Sequence, residues 1–216
     1  MSTVERVDCY VFHFDLIGVV DSFLADPEAA LDQLRAFQRS ARRRFPFSRP
    51  NSYIVTLADN VWCRINASQP GTPSLVLDFA GEVAREARIH EFPRFFGAVT
   101  RGIHEFDVAD RTLASSGSIA DLTEQHVDMT SEPHIRAAVA EKRSGQLHRV
   151  GKLPVQESCV WVSREVVANQ RIEDLAALPD AKFRAVGEWF DLSAISDPTI
   201  PSWPFNETEF RAIAAA

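Results

Sequence analysis

Long apolar runs are missing from this chain: no stretch approaches the roughly 20 uninterrupted apolar residues that a membrane-spanning helix requires. Residues 1–8 also lack the basic-then-apolar order of a secretory leader, so the cytoplasm is the expected location and no membrane contact is expected. Cysteine is scarce. Cys9, Cys63 and Cys159 are odd in number, far apart and free of any C-x-x-C pairing, which excludes a disulfide framework and a thiolate zinc site. They are expected to act as small buried hydrophobes. An excess of basic charge is absent as well: 23 Lys and Arg face 30 Asp and Glu, a net charge of -7, which argues against a nonspecific nucleic-acid binder. A local basic patch could still hold a triphosphate. There is no internal repeat and no linker. What remains is 216 residues, 45% hydrophobic and 25% charged, the balance of one ordinary globular domain spanning 1–216.

Residues 9–17 (CYVFHFDLI) are rich in β-branched and aromatic side chains and apolar almost throughout until Asp15, the pattern of a central strand buried on both faces. Gly18 permits a turn, Asp21 or Ser22 can cap, and Ala30, Leu31, Leu34, Phe37 and Ala41 recur at helical spacing, predicting one helix over about 22–44, before the break at Pro46. The arginines 35, 39, 42, 43 and 44 in its last turns suit the negative end of the helix dipole and read as a solvated face. Residues 52–57 and 61–66 predict two strands joined by a tight turn at Ala58, Asp59 and Asn60. Leu75, Phe79, Val83 and Ala87 mark a second helix, and 95–104 (FFGAVTRGIH) a further strand. The order is βαββαβ, an α+β ferredoxin-like or palm arrangement, in which helices cover one face of an antiparallel sheet and leave the other free for a ligand or partner. Beyond it, 105–129 reads as a protruding arm. Residues 131–142 read as a third helix with Ser131 as its cap and Pro133 in the first turn, and 158–163 as another strand. The tail, with Trp189, Phe190, Trp203 and Phe205, is expected to pack on the same domain as a strand and loops.

Two carboxylates stand at chosen places. Asp15 ends an apolar strand and Asp59 tips the neighbouring hairpin, and a ferredoxin-like sheet brings those two points together. Burying a lone carboxylate costs several kcal/mol as an order of magnitude, so Asp15 calls for a cation, a metal or several donors. Magnesium and manganese are bound by a few carboxylates together with phosphate oxygens, which suits two adjacent aspartates. The structural alternative makes Asp15 a turn cap and Asp59 an ordinary hairpin residue.

Three short motifs carry a resemblance. Residues 13–19 (HFDLIGV) resemble the first-strand motif of class III nucleotide cyclases, 57–62 (LADNVW) their second aspartate hairpin, and 100–104 (TRGIH) their Arg-x-Gly-Ile-His strand with the spacer absent. They occur in the family's order, and the resemblance covers about residues 8–165. It implies that Asp15 and Asp59, with the Leu16 carbonyl, hold two divalent ions, Mn²⁺ or Mg²⁺. One ion would lower the pKa of the substrate's 3′-hydroxyl and the other would bind the phosphates, so that pyrophosphate leaves. The backbone of Ile17, Gly18 and Val19 would cradle phosphate. His13 and Thr56 flank the aspartates as candidates for the base or sugar pocket. The purine-reading lysine of the family, four residues before the second aspartate, is replaced by Val55. The helical Asn-x-x-x-Arg pair is not matched either, leaving Arg136 as the phosphate candidate on the third helix.

A small stand-alone core with both aspartates and no such lysine resembles the pyrimidine cyclases of Pycsar anti-phage systems. That resemblance implies conversion of UTP or CTP to cyclic UMP or cyclic CMP, a homodimer with head-to-tail sites, and a separate effector protein that responds to the product. A purine cyclase, an inactive cyclase-like domain and a plain interaction domain remain as alternatives.

Overall fold

A computed structural model describes residues 4–46, 52–68, 71–92, 94–107, 131–149, 158–167, 189–191 and 210–215. Strand β1 (Val4–Ile17) is followed by helices α1 (Val19–Ala25) and α2 (Pro27–Arg44), the hairpin β2 (Tyr53–Leu57) and β3 (Asn60–Asn66), α3 (Thr72–Ile89) and β4 (Arg94–Asp107). After these come α4 (Glu132–Arg149), β5 (Ser158–Ser163), α5 (Arg164–Val167), β6 (Trp189–Asp191) and β7 (Phe210–Ala215). The strands form one seven-stranded sheet in the order β2-β3-β1-β4-β5-β7-β6. β1 lies between β3 and β4 and is antiparallel to both, whereas β4 and β5 run parallel, joined by a crossover through α4. The expected βαββαβ core is therefore present, and β6 and β7 extend its sheet. The arm expected over 105–129 lies mostly outside the described residues, as do Trp203 and Phe205.

Alternation along β1 creates the core. Tyr10, Phe12, Phe14 and Leu16 share one face and pack with Phe37 and Ala41 of α2 and with Phe79, Val83 and Ala87 of α3. Phe14 is fully buried and stacks on Phe95 at 4.8 Å between ring centroids. Each such phenylalanine contributes up to about 3 kcal/mol of burial.

The helix expected over 22–44 is two. Asp26 leaves helical geometry (φ -149°), its carboxylate accepts from the Ala29 N–H at 3.1 Å, and Pro27 starts α2. Proline pushes its predecessor out of the α region and is tolerated in a first turn, so the Asp-Pro pair divides the segment. At the hairpin it is Ala58, and neither Asp59 nor Asn60, that takes the left-handed conformation (φ 49°). Gln38 of α2 donates to the Ala58 carbonyl at 2.6 Å, which helps to hold that turn. The third helix runs to Arg149, past the expected 142, and it does not leave the second face open. Thr100 donates to the Pro133 carbonyl at 2.7 Å, and Gly102 stands against the Pro133 ring, so α4 packs on the side of the sheet opposite α2 and α3. Among the described residues no helix is long and apolar enough to cross a membrane.

Candidate active site

The C-terminal end of β1 meets the β2–β3 turn. Asp15 stands opposite Asn60 on β3 and Phe96 on β4, and the Leu16 N–H donates to the Asp59 carbonyl at 3.1 Å, which pins the hairpin tip beside Asp15. The Asn60 side-chain amide donates to Asp59 Oδ1 at 2.9 Å, and Asn60 Oδ1 accepts from His13 Nε2 at 2.8 Å. That second bond requires the proton on Nε2. Nδ1 is then a bare acceptor, buried without a hydrogen-bond partner among the described residues and 3.8 Å from a carboxylate oxygen of Glu141 on α4.

Burial dominates the electrostatics of this corner. His13 is 4% exposed, and desolvation pushes its pKa down to about 4 in spite of the Asn60 bond, so the ring is neutral and its contact with Glu141 is not an ion pair. Asp15 is pushed up to about 7, first by burial and then by the charge of Asp59. Glu141 is pushed up to about 8 by burial and by Asp15, with Lys142 opposing and Asp59 adding a smaller contribution. Three carboxylates thus repel one another in a partly dry pocket. Such a cluster is relieved by protonation or by a cation.

The expected residues divide by face. Asp15, Asp59 and His13 come together. The Leu16 side chain is in the core, while its backbone joins the site through Asp59. Ile17, Gly18 and Val19 form the turn into α1, with Gly18 left-handed at φ 94° and its carbonyl accepting from the Ser22 N–H at 3.0 Å. Thr56 is elsewhere: it lies opposite Val61, which opposes the core residue Phe14, and its hydroxyl accepts from Arg42 Nε at 2.9 Å on the α2 side. Arg136 is buried and donates to Glu165 at 3.2 Å, so its guanidinium is held toward α5. The corner gathers neither Thr56 nor Arg136, because sequence distance from an aspartate does not decide on which side of a strand or helix a residue projects.

Glu141 and Asn60 escaped the sequence reading. A signal for Glu141 existed: Ala137, Ala140, Ser144 and Leu147 are the buried stripe of α4, and Glu141 falls within it at helical spacing. Trp62, opposite His13 on one side and Val55 on the other, stacks on the imidazole with centroids 3.6 Å apart. Val55 therefore stands beside an aromatic surface, where the resemblance sought a lysine.

No group of three or more His, Cys, Asp or Glu side chains among the described residues is arranged to hold a metal by itself. Asp15 and Asp59 do fit a hard divalent ion that takes its other ligands from substrate oxygens and water, and the mutual repulsion of their carboxylates is what such an ion would neutralise.

No family model matches the chain, and no curated protein is significantly similar to it in sequence. Solved structures are similar in fold. The adenylyl cyclase CyaB from P. aeruginosa superposes with a TM-score of 0.58 at 11% identity, over 99% of this chain and 96% of that one. The guanylyl cyclase Cya2 superposes with a TM-score of 0.52 at 10% identity, over 100% of this chain and 94% of that one. Identities this low speak for architecture alone: the chain has the α+β fold of the nucleotide cyclases.

Proposed function

We propose that this protein is a nucleotide cyclase that closes a nucleoside triphosphate into its 3′,5′-cyclic monophosphate, with UTP or CTP as the favoured substrate. The observation that carries the reading is the pinning of Asp59 against the end of β1, which sets two carboxylates side by side at the mouth of a cyclase fold. Bound there by Asp15 and Asp59, divalent ions would supply charge neutralisation for the phosphates and acidify the 3′-hydroxyl. In the reaction the 3′-oxygen bonds to the α-phosphorus as the bond to the β-phosphate oxygen breaks, releasing pyrophosphate and the hydroxyl proton. The protein's own part is placement. Asn60 holds the Asp59 carboxylate, His13 holds Asn60, and the stacking of half-buried Trp62 on buried His13 keeps that relay in one orientation.

The pyrimidine preference is supported by Val55 and Trp62 at the place where a purine enzyme would carry a lysine. An apolar, aromatic wall offers a base its face and no charged hydrogen-bond partner. By resemblance to the Pycsar enzymes, the product would be a second messenger for a separate effector protein in anti-phage defence, and the enzyme a homodimer. One observation favours a second reading, an inactive nucleotide-binding domain: Arg136, the arginine sought on α4, is engaged with Glu165.

Incubating the purified protein with ATP, GTP, CTP and UTP in Mn²⁺, with mass-resolved detection of cyclic monophosphates, separates these readings. Cyclic UMP or CMP that disappears in Asp59→Ala is the expected result. Cyclic AMP or GMP as the main product overturns the pyrimidine preference, and tight nucleotide binding without any product moves the protein to the inactive class.

A further inference from the structure

We propose that the His13 imidazole and the Glu141 carboxylate, which face each other across 3.8 Å between β1 and α4, form a transition-metal site of the zinc type beside the aspartate pair. The inference rests on donor geometry and not on the cyclase reading. Its starting point is the Asp59 carboxylate, which only accepts. The Asn60 group turned to it is therefore the amide NH₂, so Asn60 Oδ1 faces His13 and His13 Nε2 carries the proton. That leaves the Nδ1 lone pair buried and without a hydrogen-bond partner among the described residues. What it meets is Glu141 Oε2, a second acceptor, on a side chain only 13% exposed.

Two acceptors turned on one another in a partly dry pocket call for a positive charge between them. A shared proton would draw the atoms to about 2.7–3.2 Å, ordinary hydrogen-bond distance, and 3.8 Å is too long for that. A single ion fits the gap: zinc lies about 2.0–2.2 Å from an imidazole nitrogen or a carboxylate oxygen, so two donors on it stand roughly 3–4 Å apart. The ring is also prepared as metal-ligating histidines are, its other N–H given to an oxygen that fixes tautomer and orientation. Trp62, stacked on it, holds the ring plane. Nitrogen beside oxygen favours zinc or cobalt over magnesium, which keeps to oxygen ligands and so suits Asp15 and Asp59 instead. Asp15 stands two residues from His13 on the same face of β1, and its charge acts on Glu141, so an ion here also relieves that repulsion. Two protein donors leave the other coordination positions to water or a ligand oxygen. Once bound, the ion would fix His13 and, through Asn60, the Asp59 carboxylate. Another His–Glu pair, His90 with Glu86 at 3.7 Å, lacks this character: Arg44 already donates to Glu86, and Ser40 engages the ring.

Calorimetric titration of Zn²⁺ into the full chain, in excess Mg²⁺ to occupy the aspartates, tests the site, with zinc-edge X-ray absorption to detect imidazole among the ligands. Wild type should bind a single Zn²⁺ through one imidazole and otherwise oxygen. Glu141→Gln, which keeps the side-chain shape, and His13→Phe, which keeps a ring against Trp62, should each weaken binding by about ten-fold or more, the scale on which metal sites respond to altered ligand shells. Asp59→Ala should keep the imidazole signal, and His90→Gln should bind within about two-fold of wild type. If His13→Phe loses its melting transition, Glu141→Gln and the absorption edge decide.

Zinc bound at His13 and Glu141 by a protein that makes no cyclic product would uphold the site and remove the cyclase reading. Cyclic product from a protein whose Zn²⁺ affinity is indifferent to Glu141→Gln would remove the site and leave the reading intact. Wild type without Zn²⁺ affinity, an edge spectrum without imidazole, or binding lost with His90→Gln and kept in Glu141→Gln also overturns the site.

Discussion

The two faces of β1 are made of alternate residues of one strand, yet they obey different rules. On the α2–α3 face, Phe12, Phe14 and Leu16 pack into the apolar cluster, and the burial itself is the stabilising effect. On the α4 face, His13 and Asp15 are as firmly held by the backbone, but burial there raises the Asp15 and Glu141 carboxyls and depresses His13. The same sheet that gains stability on one side holds carboxylates at a cost on the other. A cation supplied with substrate would offset that cost, which is how a fold can keep an unfavourable cluster in readiness for a ligand.

The widest separation between the faces should come from Asp59→Ala, expected to lower turnover by at least about a hundred-fold while the melting temperature stays near that of wild type. A variant cyclising at half the wild-type rate would break the assignment of the α4 face to chemistry. Phe14→Ala is the mirror experiment. Removing a fully buried ring that stacks on Phe95 should cost about 3–5 kcal/mol of stability, read by urea titration, with the activity of the remaining folded fraction unchanged.

Acidity offers a subtler division. Folded Asp15 and Glu141 keep their protons to about pH 7 and 8, whereas in the unfolded chain they release them near 3.8 and 4.5. The folded state therefore binds more protons between those limits, and stability falls as pH rises through the window. His13 acts in the other sense. Its unfolded form takes a proton near 6.5 and its folded form only near 4, so its contribution is complete above pH 6.5 and lost on acidification. Between pH 6.5 and 8 the two carboxyls act alone, and melting temperature in metal-free buffer should decline. Asp15→Asn together with Glu141→Gln should flatten that decline, and Mn²⁺ should stabilise more at pH 8 than at 6.5. A slope unchanged in the double variant would show that these carboxyls do not set it. The smallest effect is expected from Thr56→Val, on the core-side surface: product formation within about two-fold of wild type. A large loss there would mean that the two faces are not chemically separate.

Much of this architecture was legible because it is local. Unbroken β-branched and aromatic runs predict β1, β3, β4 and β5, and helical recurrence predicts α3 and most of α2. Asp15 and Asp59 stood out by contrast, carboxylates at the ends of apolar segments. The split at Asp26 was missed because an apolar stripe that continues past an Asp-Pro pair looks like one helix, while the proline acts on its predecessor's backbone and not on the stripe. Thr56 was misplaced for a related reason. Proximity in sequence to Asp59 says nothing of facing, since adjacent residues of a strand point to opposite sides.

By itself, then, the sequence determined the order of the elements, the apolar side of β1 and the two aspartates, all of them consequences of short-range periodicity. The tertiary structure alone decided that Glu141 would come from 126 positions after Asp15 to share its field, that Arg94 would lie beside the Gly18 turn, and that Arg136 would turn to Glu165. Those three facts depend on where α4 crosses the sheet and on the register of β4 against β1. Both are set by the packing of distant segments, and no local pattern encodes them.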